Sequence, residues 1–137
     1  MKLFQIEEPE GSPLESDGVG LSVGIHLAGD AAVAIAVGGN AEILGRAEKR
    51  APKETLLELR GLAEKILARP VTHAVIAAAG LDDAARGALA DAAGAAGLTL
   101  LGLVNATDAA RKAPDPALPD APALGAAILA EDLAPAD

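Results

Sequence analysis

At 137 residues the chain has room for one domain with a real core, but not for two. Hydrophobic residues make up 51% and aromatics only 1%, so Leu, Ile, Val and Ala must fill the interior through close contacts that leave few large pockets. A net charge of −9 argues against a nucleic-acid partner, the absence of Cys excludes disulfides and thiolate metal sites, and no apolar run reaches the roughly 20 residues of a membrane span.

Residues 1–18 are polar, with Pro9, Gly11 and Pro13, and read as an extended arm. They turn acidic at Glu7 and Glu8 before any apolar segment develops, which is unlike a secretory signal and points to a cytoplasmic protein. Leu21–Leu27 reads as a buried strand, and Ala28-Gly29-Asp30 supplies turn chemistry. Val33, Ile35 and Val37 alternate with alanines at the period of a second strand. Gly38-Gly39-Asn40 makes the next turn and 41–44 a third strand, completing a meander. The densest basic cluster, Arg46, Lys49, Arg50 and Lys53, reads as a solvated loop and helix start.

Pro52 suits a first helical turn and Glu54 its positive end. Leu56, Leu59, Ala63, Ile66 and Leu67 recur at helical spacing until Arg69-Pro70 stops the run. A strand over 73–79 follows. Asp82 and Asp83 open a second helix with Leu89, Ala92, Ala93 and Ala96 inward and Gly97 just past its end. A fifth strand spans 98–104, 113–119 is a proline-rich loop, and Asp120 is placed to cap a last helix over 123–130. The Ala-rich faces of the last two helices suit close packing in the core. Strands joined through helices are parallel by right-handed crossovers, so the expected fold is α/β, a mixed five-stranded sheet in the order 3-2-1-4-5 with helices on its faces.

The blocks on that framework resemble the seventy-kilodalton heat-shock chaperone family. Residues 81–105, LDDAARGALADAAGAAGLTLLGLVN, resemble its "FDDAQRQ…KDAARLAGL.VLRLLNEP" stretch, and 71–76, VTHAVI, resemble the strand leading into "TVPAYF". Residues 23–37, VGIHLAGDAAVAIAV, resemble "VGIDLGTTNSLVA", and 123–133, ALGAAILAEDL, resemble "ALGAAIQADLL". The leader FQIEEPEGSP, Phe4–Pro13, is similar to "LQISEPGQSP" of the family's iron–sulfur branch, a resemblance that implies an HscA-like chain. The resemblance implies the first subdomain of an actin-like (ribonuclease H-like) ATPase domain over 19–131, with a tail at 132–137. The family's inserted small subdomain is replaced by a direct bridge at 45–51, its second lobe by 109–120, and no client-binding domain follows Asp137.

In the family, the first strand ends in an Asp that holds hydrated Mg²⁺, followed by Gly-Thr-Thr at the phosphates. Here His26 stands for the Asp, Ala28 for the Gly, and Gly29 and Asp30 for the threonines. Neutral imidazole is a poor Mg²⁺ ligand, and Asp30 adds repulsion beside phosphate. After the fifth strand the family reads Asn-Glu-Pro-Thr-Ala; here Asn105-Ala106-Thr107-Asp108-Ala109 lacks that carboxylate. The expected degenerate nucleotide edge is therefore His26, Ala28, Gly29, Asp30, Gly80, Asn105 and Asp108. It carries no catalytic residue and no metal ligand set, and Mg-ATP belongs to it only where the family function is retained. A metal site from His26, Asp30 and Asp108 competes with a plainer reading of these as turn and cap residues, and His73 falls at the opposite end of its strand. The implied function is a non-hydrolysing protein-binding module whose partner is an iron–sulfur scaffold, a co-chaperone or a second copy. A weak ATP-binding chaperone and a structural remnant are the alternatives.

Overall fold

The computed structural model describes residues 20–48 and 50–134. The arm at 1–18, its leader resemblance and the end of the tail lie outside the described residues. Five strands and four helices follow one another: β1 (Leu21–Leu27), β2 (Asp30–Val37), β3 (Asn40–Glu48), α1 (Pro52–Leu67), β4 (Val71–Ala78), α2 (Asp83–Ala95), β5 (Thr99–Asn105), α3 (Ala106–Lys112) and α4 (Ala121–Leu133). They form one mixed sheet in the order β3-β2-β1-β4-β5, as the connection rules require. β1, β4 and β5 run parallel, and β2 and β3 are antiparallel to their neighbours.

The turn between β2 and β3 has Gly38 and Gly39 at φ 61° and 83°. Two positive φ values in a two-residue hairpin match the twist of the flanking strands and suit glycine at both positions. β3 then continues to Glu48, so most of the expected 45–51 bridge is strand. Pairing with β2 extends it past the apolar stretch, with Arg46 opposite Ala32 and Glu48 opposite Asp30.

One face of the sheet holds Val23, Ile25, Leu27, Val33, Ala74 and Ile76 against Leu56, Leu59 and Ala63 of α1 and Leu89 and Ala93 of α2. Ile66 keeps the helical spacing of Leu59 and Ala63 but falls in the last turn of α1, past the buried residues of the helix, and is 58% exposed. α2 starts on a true cap, with the Asp82 carboxylate accepting from the Ala85 amide at 2.8 Å. Gly97, at φ 80°, ends it as expected.

The other face is covered by α4 with α3 beside it. Ala123, Ala126, Ala127 and Ala130 are buried there against Ala32, Ala34, Val75 and Ala77. The contact is so close that a Cβ on Gly24 would stand 2.0 Å from the Ala127 amide nitrogen. A Cβ on Gly125 would stand 1.6 Å from the Ala109 carbonyl oxygen of α3. These two glycines set the depth at which α4 sits.

Candidate functional site

The parallel strands end together: Leu27 lies opposite Ala78, and Ala78 opposite Asn105. In open α/β sheets this carboxyl edge is where ligands bind. His26, Ala28, Gly29, Asp30, Gly80, Asn105 and Asp108 all fall on it or on segments leaving it. His73 begins at the far end of β4, in register with Ser22 and Thr99, and its Nδ1 lies 2.7 Å from Thr72 Oγ1. The two histidines therefore do not share a site.

Ile25 and Leu27 point into the α1 and α2 core, so strand alternation turns His26 toward α4. It is half-buried between the small neighbours Ala32 and Ala77. Burial lowers its pKa below the ordinary 6.5, and the charge of Asp120 opposes that shift only in part. The imidazole is neutral at pH 7.

Arg46, Ala32 and His26 form one row across β3, β2 and β1. Asp120, at the start of α4, closes over this row. It occupies the N-cap position but makes no cap bond, contrary to the expectation from sequence. Its carboxylate instead accepts from both terminal nitrogens of Arg46, at 2.5 and 2.6 Å. A bidentate guanidinium outcompetes a single amide for the same oxygens. That hydrogen bonding holds the Asp120 carboxyl below its usual range. Sequence reading assigned Arg46 to a solvated loop and Asp120 to a cap. Seventy-four positions separate them, and only the cross-strand row brings them together.

The other nominated residues have local duties. Asn105 Oδ1 accepts from the Thr107 amide at 2.9 Å and so caps α3, a helix that the sequence pattern does not predict. Asp108 pairs with Arg111 one turn on, at 3.0 Å. Gly80 adopts φ 68°, and a Cβ there would meet nothing, so its backbone rather than a ligand requires glycine. Gly29 is exposed and Ala28 half-buried in the β1–β2 turn. Asp30 is exposed, and its charge acts on Arg46 from beyond the Asp120 pair.

Mg²⁺ with a nucleotide requires hard oxygen ligands held near octahedral geometry. Among the described residues no three His, Asp or Glu side chains gather in a way that could hold a metal. Asp120 is committed to Arg46, Asp108 to Arg111, and His26 offers a neutral nitrogen. The residues at this edge do not fit the group. On the opposite face of the same edge lies a cavity of about 210 Å³, lined by Leu27, Ala78, Leu81 and Leu89 among other apolar residues. It offers no cation or side-chain donor to a phosphate. Among the described residues no helix is long and apolar enough to cross a membrane.

A family model described as "Hsp70 protein" matches residues 16–113, from ahead of β1 to the end of α3. No curated protein matches the chain.

Proposed function

This chain belongs to the Hsp70 family, and from that premise we propose that it is a degenerate, non-hydrolysing member that acts by binding a protein. Its mixed sheet and helices are those of the family's actin-like ATPase subdomain. One observation carries the reading. Where the resemblance calls for a metal-holding carboxylate, the edge carries a neutral, half-buried His26 beneath an Arg46–Asp120 pair. Phosphoryl transfer depends on positioning and on charge aimed at the phosphates, and this edge directs its one bidentate cation at its own aspartate.

The direct connections at 45–51, before α1, and at 109–120, before α4, support reading 19–131 as a trimmed subdomain that still buries a core. The leader Phe4–Pro13 supports the iron–sulfur branch, and with it a scaffold protein or co-chaperone as partner in a cytoplasmic setting. The second reading is a weak ATP-binding chaperone, supported by the family itself, whose members bind Mg-ATP. Isothermal titration of the full chain with Mg-ATP separates the two. We expect no heat at ligand concentrations up to about 1 mM, which corresponds to binding weaker than about 4 kcal/mol. Micromolar binding that disappears in His26→Ala would sink the proposal. The iron–sulfur link is tested separately, by titrating the chain with a purified scaffold and with its co-chaperone; silence from both removes it.

A further inference from the structure

The two outer strands of the sheet differ in kind. β3 carries Glu42, Arg46 and Glu48, the alternating charges by which natural edges avoid pairing. β5 carries no charge and no proline from Thr99 to Asn105. Its five central residues, Leu100–Val104, are each only half-buried, while Val75 and Ile76 on the adjoining β4 are fully buried. Leu100 and Leu103 belong to the α1 and α2 side, and Leu101 and Val104 to the α4 side. Beyond them, Leu133 of α4 is 51% exposed with its Cδ1 against Gly102.

Among the described residues no strand pairs with the outer side of β5. The Leu103 carbonyl receives a contact from Arg86 Nη1 at 3.4 Å, near the limit of hydrogen-bond range. The register with β4 shifts at Leu101, between Leu100 opposite Ala74 and Gly102 opposite Val75, and the outward amides and carbonyls on either side of that shift are open to pairing with another extended chain.

We propose that β5 pairs antiparallel with β5 of a second copy, joining the two sheets across a two-fold axis. A symmetric contact must be self-complementary. With the axis between Leu101 and Gly102, Leu100 falls opposite Leu103 of the second copy, and Thr99 opposite Val104 of the second copy. Opposed residues then lie on the same face, with Leu100 against Leu103 toward the axis and the mixed pair of Thr99 and Val104 outside it. Charge selects this edge as well. A chain of net charge −9 repels its own copies, so they meet most readily along a charge-free strand. A second copy is a partner of the kind that the protein-binding reading leaves open. The pairing itself does not depend on the state of the nucleotide edge.

Sedimentation equilibrium of the full chain tests this, over about 1 to 100 μM, the range in which mass action populates a moderate dimer. The expected mass is twice the 13.5 kDa of one chain. Leu101→Lys should weaken the dimer at least about tenfold while leaving the far-ultraviolet dichroism of the monomer intact. Should that variant unfold, cross-linking decides. The chain lacks cysteine, so Leu101→Cys should give a disulfide dimer on mild oxidation, whereas Glu42→Cys on the other edge should not. A monomer throughout the range overturns the proposal, and so does cross-linking at position 42 instead of 101. A monomer whose β5 amides resist hydrogen exchange also overturns it, because a different segment then covers the edge. A dimer that also binds Mg-ATP would leave this pairing standing and defeat the non-hydrolysing reading alone.

Discussion

Gly24 and Gly125 have no side chain to contribute, yet they position the last helix. Replacing Gly24 by Ala places a methyl 2.0 Å from the Ala127 amide nitrogen, and that neighbour is backbone in a packed helix rather than a flexible side chain. Overpacking of this kind costs about 3 kcal/mol or more, a large share of a small domain's stability. Urea denaturation of Gly24→Ala followed by far-ultraviolet dichroism should show a loss of that size. His26 makes a different prediction. Its pKa is lowered by folding, so the unfolded chain binds its proton more readily. Stability is therefore full above pH 6.5 and falls as pH drops through 6.5 toward the folded value. Asp120, held low by Arg46, acts in the same direction but in a more acid window. It contributes above its ordinary value of 3.8, and that contribution is lost only in stronger acid. His26→Gln should flatten the part of the stability profile just below pH 6.5 and leave the acid limb in place. An unchanged slope in that window would mean that the imidazole is not desolvated as its burial indicates.

α4 is the element most fully set by long-range contacts. The Arg46–Asp120 pair fixes its start above the carboxyl edge, and the Glu131 carboxylate fixes its end by accepting from the amides of Gly38 and Gly39 at 2.6 and 2.9 Å. The β2–β3 hairpin turn thus holds one end of the helix while β3 holds the other. Glu131→Ala should speed exchange of the Gly38 and Gly39 amides about tenfold, the equivalent of about 1.4 kcal/mol, with little change in global unfolding. Amide exchange followed by nuclear magnetic resonance reads this directly. α3 shows why an element can escape sequence reading. Its seven residues carry no apolar stripe, and Ala109 is the residue it buries. The helix forms because Asn105 caps it and because Gly125 lets α4 approach the Ala109 carbonyl. The cap is local to the segment, but the approach of α4 is not.

For the whole molecule, charge and connectivity matter most. Twenty acidic residues face eleven basic ones, and the described ion pairs lie mostly at exposed or half-exposed positions. Such pairs are worth at most about 1 kcal/mol each, and salt screens them together with the general repulsion. Repulsion within a −9 chain is the larger of the two effects, so the midpoint of thermal unfolding should rise by about 2 to 4 °C between low and moderate salt. A fall would mean that the ion pairs dominate. Strand order, the parallel trio, the two helical faces of the sheet and the placement of the carboxyl edge were all legible in the amino-acid sequence. Hydrophobic period, turn glycines and the handedness of crossovers act over short stretches, and the family resemblance agreed with them. The residues of the edge were legible by position but not by partnership. His26 was expected there, but the Arg46–Asp120 pair above it depends on a cross-strand register and on a helix that returns seventy-four residues later. Local sequence determines which elements form and in what order they lie. Tertiary packing alone decides which charges meet, because their closeness comes from the depth at which small residues let α4 settle on the sheet.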